Sequence, residues 1–153
     1  MVRKKIYLCG NISADPQTYL WRDEATKILE PNYTILNPAA NKFNREMLKM
    51  GKTDGTWHME EAVKKSQNIL IVKDYQLVAS SDIILANLSI ITTEKPPLGT
   101  VFELAWSWQL KKPVIAIVAD NLYCQHPFPR AVFSATAESL KDACELIRYL
   151  FTE

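Results

Sequence analysis

The chain is 153 residues long, 48% hydrophobic and 23% charged, the size and balance of one globular domain with its own core. Eighteen Lys+Arg against seventeen Asp+Glu leave a formal charge of +1, so nothing electrostatic recruits nucleic acid or an anionic membrane. Its apolar runs are far shorter than the ~20 residues that cross a bilayer.

Short apolar runs alternate with helix-like segments, the pattern of a parallel α/β sheet. Lys5 to Cys9 reads as the first strand, and its end at Gly10-Asn11 leaves no apolar stretch long enough for a signal peptide. Asp15-Pro16 starts a helix, with Asp as N-cap and Pro at the first helical position. Trp21, Ala25, Ile28 and Leu29 form its buried stripe. Tyr33 to Leu36 is a second strand, ended by Asn37-Pro38. Residues 39–65 are polar, and two short helices are expected there as a cover over a site. One runs from an Asn41 cap to Met50 with Gly51 as its stop, and the other starts near Thr56.

A helix then continues to about Ser80, and Asp82 to Leu88 is a strand apolar on both faces, as central parallel strands are. After Pro96-Pro97-Leu98-Gly99 comes a helix with two apolar stripes. Val101, Leu104, Ala105 and Trp108 make one; Phe102, Trp106 and Leu110 make the other. A helix apolar nearly all round is expected to be buried on several sides, which in so small a chain points to a homodimer or higher oligomer. Pro113 to Ala119 is a fourth strand and Ala131 to Ser134 a short fifth. The last helix is expected to bury Leu140, Ala143, Cys144, Ile147 and Leu150. Together these fit one flavodoxin-like (Rossmann-like) α/β domain over residues 1–153. Its ligands would sit at the C-terminal strand ends beside the switch point. Cys9, Cys124 and Cys144 form no CxxC pair, which suits a reducing, cytoplasmic compartment.

Three places meet that geometry: the stretch from Tyr7 through Gly10, Asn11 and Ile12 to Ser13, then Asn87, and then the Gly99-Thr100 turn. The third is the most informative. Thr100-Val101-Phe102-Glu103 puts a carboxylate in the first turn of a helix, where the dipole and free N–H groups favour its ionised, nucleophilic form. The same spacing is a capping box, with Glu103 merely reaching back to the Thr100 N–H. Asp74 is a lone helical Asp, ordinarily solvent-facing. Asp82 opens a strand and is expected to close a local turn. His58 and His126 are isolated and no cluster has metal-ligand spacing, so no metal is expected. The serines lack a G-x-S-x-G context. The first-strand loop is neither G-x-G-x-x-G nor a phosphate-binding P-loop, which argues against dinucleotide and ATP cofactors.

Taken in order, Ile6-Tyr7-Leu8-Cys9-Gly10, Trp21-Arg22, Leu36-Asn37-Pro38, Asp74 with Asp82, Asp82-Ile83-Ile84-Leu85-Ala86-Asn87-Leu88, Gly99-Thr100-Val101-Phe102-Glu103-Leu104-Ala105-Trp106 and Lys112-Pro113-Val114 resemble the nucleoside 2-deoxyribosyltransferase family. The resemblance implies cleavage of the N-glycosidic bond of a 2'-deoxynucleoside and transfer of the sugar to another nucleobase. It implies Glu103 as nucleophile through a covalent deoxyribosyl ester, Asp74 as the carboxylate that helps protonate the leaving base, and Tyr7 as the group that orients Glu103. The ligands would be a small nucleoside or nucleotide and a free base, with no metal or organic cofactor.

Two positions depart from the family pattern. Pro97 stands where family members often carry Asp or Ser for the sugar's 5' end. Ser13 stands where the monophosphate N-hydrolase branch commonly has a phosphate-binding Arg. Arg22 or Arg130 is the remaining candidate for charge at that end, against the plain reading of a solvated arginine. Two alternatives therefore stand beside the transferase: an N-hydrolase of a nucleoside or its 5'-monophosphate, and a non-catalytic nucleotide-binding flavodoxin-like module.

Overall fold

The structure is a computed structural model that describes residues 2–13, 15–42, 44, 61–91 and 97–153. Five parallel strands form one sheet: β1 Lys5–Gly10, β2 Thr34–Leu36, β3 Ile83–Asn87, β4 Val114–Ile117 and β5 Ala135–Ala137. Their spatial order is β2-β1-β3-β4-β5. From β1 the chain moves outward to β2, then crosses back to β3, so the switch point lies between β1 and β3. There Gly10 pairs with Asn87 at the C-terminal ends of both strands.

The two-residue period of β1 divides the core. Ile6 and Leu8 join a cluster with Trp21, Ala25 and Leu29 of α1 (Gln17–Leu29) and with Ala143, Cys144 and Ile147 of the last helix, α6 (Leu140–Phe151). Tyr7 and Cys9 face the other way. They join Ile84, Ala86 and Leu88 around β3, Val78 of α2 (Glu61–Ser80) and Leu104 of α3 (Leu98–Gln109). β1 and β3 are thus sandwiched, which is why both read as near-continuous apolar runs.

The ends of α2 and α3 are tied to the sheet. Lys112 donates from Nζ to the carbonyls of Ala79 (2.9 Å) and Ser81 (2.6 Å), satisfying carbonyls at the C-terminus of α2. The ring of Tyr75 on α2 meets that of Trp106 on α3 edge-on, 5.4 Å between centroids. Asp82, expected to close a local turn, instead accepts from the Lys5 N–H at 2.7 Å and aligns the start of β1 with β3.

Several expectations are corrected. Ala131 to Ser134 is not the fifth strand. His126 caps a short helix by accepting from the Phe128 N–H, Pro127 occupies its first position, and this helix, α5 (Pro127–Val132), follows the four-residue α4 (Leu122–Gln125). The strand is deferred to Ala135. The last helix buries Ala143, Cys144 and Ile147, but Leu140 is only partly covered and Leu150 is exposed, because α6 packs along a narrower stripe than its apolar residues span. In α3 the inward face is Thr100, Glu103, Leu104 and Ser107, at i, i+3, i+4 and i+7. Of the expected stripe only Leu104 is buried; Val101 and Trp108 are exposed, as is Phe102 of the second stripe. The expected helix to Met50 and the start near Thr56 lie outside the described residues. The Asn41 side chain does accept from the Asn44 N–H, at 2.8 Å. No helix among the described residues is long and apolar enough to cross a membrane.

Candidate active site

The sheet's C-terminal edge at β1 and β3 gathers residues from four elements. Tyr7 on β1 is wholly buried, and its hydroxyl donates to Glu103 Oε1 on α3 at 2.8 Å. Glu103 is itself 5% exposed, and its other oxygen, Oε2, has no hydrogen-bond partner among the described residues. This geometry removes the capping-box reading. α3 begins at Leu98 with Pro97 at its N-cap, so Thr100 is already inside the helix and Glu103 points at the sheet. Glu103 therefore lies in the second turn, and the expected stabilisation of its charge by the helix N-terminus is outweighed.

Burial dominates, and it raises the Glu103 pKa to about 7. The Tyr7 hydrogen bond opposes that rise, the Asp74 charge adds to it, and the Cys9 thiol and the Arg22 guanidinium both favour the ionised form. Tyr7 and Cys9 are held well above their ordinary values, first by burial and then by the Glu103 charge. Both therefore stay protonated and available as donors. Asp74, half-buried on α2, is raised by desolvation, with Lys73 and Arg22 opposing. The Asp74 charge thus disfavours ionisation of Glu103.

The remaining sequence candidates fall in different places. Gly10 is at the end of β1, where an added Cβ would meet the Asn87 carbonyl oxygen and Trp21 Cζ2 at 3.1 Å each, so a side chain there would crowd the switch point. Asn11 and Ile12 follow it, partly exposed. Asn87 is buried and turned into its own bend, its Oδ1 accepting from the Ser89 N–H (3.0 Å) and hydroxyl (2.6 Å). Gly99 and Thr100 form no turn. They are helical, with Thr100 buried and Gly99 open enough that a Cβ would touch nothing. Arg22 is the largest fully buried side chain, so it is not the solvated arginine considered from sequence, whereas Arg130 is exposed. Cys9 was not among the candidates. The strand period that puts it on the face of Tyr7, two residues away, is the signal that finds it. Among the described residues no group of His, Cys, Asp and Glu is arranged to hold a metal.

A buried carboxylate braced by a tyrosine, with a second carboxyl beside it at a switch point, suits nucleophilic substitution at a sugar carbon. The sequence matches the family model for nucleoside 2-deoxyribosyltransferases over residues 6–142. The chain belongs to the nucleoside 2-deoxyribosyltransferase family. Solved structures with the same fold include the 2-deoxyribosyltransferase of Leishmania mexicana, at 16% identity and a TM-score of 0.57, covering 97% of this chain and 99% of that one. The CMP N-glycosidase of Clostridium botulinum is similar at 14% identity and a TM-score of 0.52, covering 95% and 99%. No curated protein matches the sequence significantly. This deoxyribosyltransferase-family chain is an enzyme.

The raised Glu103 pKa has a thermodynamic consequence. Between the ordinary carboxylate value of 4.5 and about 7 the folded chain keeps a proton that the unfolded chain has released. Stability must therefore fall as pH rises through that window. Glu103→Gln removes the buried charge and keeps an acceptor for Tyr7. It should be more stable than the wild type at pH 8, on the order of 3 kcal/mol, with the difference shrinking towards pH 5. Urea denaturation at the two pH values measures it; a difference independent of pH would contradict the burial of an ionisable Glu103.

Proposed function

We propose that the protein transfers the deoxyribosyl group of a 2'-deoxynucleoside to another nucleobase, with Glu103 as the nucleophile. The observation that carries this reading is the asymmetry of the Glu103 carboxyl. Tyr7 fixes Oε1, while Oε2 is buried without a hydrogen-bond partner among the described residues, close to the strand ends where ligands of this fold bind. An oxygen so placed attacks C1' of the sugar. As the O–C1' bond forms, the bond from C1' to the base nitrogen breaks and the base leaves with its electron pair. Asp74, whose pKa desolvation raises, is the carboxyl placed to give the leaving base its proton. A second base then attacks C1', its ring N–H proton passes to Asp74, and the ester's electron pair returns to Glu103. Water attacking at that stage yields free sugar instead, which is the N-hydrolase outcome.

Tyr7 orients the carboxylate and, being held protonated, remains a donor throughout. Gly10, Asn11, Ile12, Asn87, Gly99 and Thr100 line the approach, and with Glu103 they are the substrate-contacting set. The ligands are small nucleosides and bases, with no cofactor in the chemistry. The free thiols of Cys9, Cys124 and Cys144 are what a reducing cytoplasm maintains.

Incubation with deoxyinosine and adenine tests the reading. Transfer gives hypoxanthine and deoxyadenosine together, hydrolysis gives hypoxanthine alone, and a binding module gives neither. Glu103→Ala should reduce either reaction to background. Asp74→Asn should lower the rate about 10²–10⁴-fold on deoxynucleosides but much less on a p-nitrophenyl deoxyriboside, whose leaving group needs no proton. A Glu103→Ala enzyme with near-normal rates would overturn the assignment.

The outward faces of α2 and α3 also support a homodimer. Ile69, Ile71, Val72 and Tyr75 on α2 and Leu98, Val101, Phe102 and Trp108 on α3 are all exposed in the single chain. Phe102 and Trp106 stack edge to face within this surface at 5.9 Å. A patch of this extent fits a second copy of the same chain, whose helices would present the same residues across a two-fold axis. Sedimentation at micromolar concentration should give at least twice the 17.5 kDa of one chain; a lone 17.5 kDa species would rule the dimer out.

A further inference from the structure

Arg22 is a buried cation without an ion-pair contact among the described residues. It stands on α1, on the opposite side of the sheet from Glu103 and Asp74, yet its charge acts on both. Its donors are spent on backbone: Nη2 on the Gly10 carbonyl at 2.8 Å, Nη1 on the Asn11 carbonyl at 3.2 Å, and Nη1 also on the Thr18 carbonyl one turn earlier. Its Cζ lies 4.7 Å from the centroid of the Trp21 ring. The guanidinium thus lies at the C-terminal end of β1, against the Gly10 and Asn11 carbonyls. With every nitrogen buried, and Nε among the described residues without a partner, it has no donor turned to solvent for a substrate phosphate.

Burying a charge this completely is costly unless another charge compensates it. The charge that favours the Arg22 cation most is that of Glu103, ahead of Tyr7, Cys9 and Tyr19. We propose that Arg22 is a positioning residue of the active site: it ties the Gly10–Asn11 turn to α1 through the Gly10 and Asn11 carbonyls and supplies, from behind the sheet, the buried positive charge that balances ionised Glu103. This builds on Glu103 as the reacting group. When the bond between Glu103 and C1' breaks, its electron pair returns to the carboxyl oxygen, and the buried cation stabilises that charge as it reappears. Among the described residues, the groups that act on Glu103 are Tyr7 and Cys9 from β1, Asp74 from α2 and Arg22 from α1, and Arg22 is the cation among them.

The test reads Arg22 directly in protein labelled with [15N]arginine. The Arg22 Nε–H resonance should move as pH crosses the range near 7, with the same midpoint as the Glu103 side-chain carboxyl carbon followed by 13C. In Glu103→Gln the movement should vanish. Variants add a functional arm. Arg22→Gln should move the acidic limb of kcat/KM upward by roughly one pH unit, whereas Arg22→Lys, which keeps the charge, should leave that limb in place and raise KM by loosening the turn. An Arg22 resonance flat across pH 5–9 in the wild type would overturn the proposal, whatever the variants do. A resonance that tracks Glu103 in a protein that exchanges no bases would leave this proposal standing and remove the transferase reading.

Discussion

The proposed site is organised around one buried hydrogen bond, from the Tyr7 hydroxyl to Glu103 Oε1. Its two ends are far apart in sequence, one in the first strand and one in the helix after the third. The fold makes the contact possible because β1 and β3 are neighbours at the switch point, with α3 laid over the face that Tyr7 occupies. A carboxylate taken this far out of water loses solvation that a single phenolic donor does not restore, and the raised pKa is the measure of the shortfall. A buried carboxyl of this kind titrates near neutrality, at about 7.

The arrangement trades stability for chemistry. α3 turns Thr100, Glu103 and Ser107 inward, and Ser107 donates back to the Glu103 carbonyl at 2.6 Å, so polar side chains occupy a face that apolar ones would pack more favourably. The apolar residues of α3 are displaced outward as a result, which links the exposed Phe102 and Trp108 to the buried Glu103. The buried polar face and the exposed apolar face are two sides of one helix.

β1 and β3 were legible because burial on both faces leaves uninterrupted apolar runs, and the start of α1 followed from Asp15 and Pro16. β5 was not. The Pro127-Phe128-Pro129 run competes with strand formation, and His126 caps a helix where Ala131 to Ser134 had looked extended. On α3 the period was read correctly and the direction was not, since periodicity cannot say which face looks at a polar site. The spacing Thr100 to Glu103 fits a cap and a nucleophile equally well. What separates them is a partner 96 residues away, which local pattern cannot supply. Tyr7, Asp74 and Glu103 came from the ordered resemblance to a family; the contact that joins Tyr7 to Glu103 came from the structure. Arg22 shows the same limit: a lone arginine on an amphipathic helix looks solvated until the Gly10 and Asn11 carbonyls that hold it are placed.

The central claim is that Glu103 takes the sugar onto its own oxygen. Rapid acid quenching of the enzyme with a 2'-deoxynucleoside, in the absence of acceptor base, followed by proteolysis and mass spectrometry, addresses it. The peptide containing Glu103 should gain the mass of one deoxyribosyl group, and fragmentation should place that group on Glu103. Turnover with no modified peptide at any quench time, or the sugar on another residue, would contradict the account.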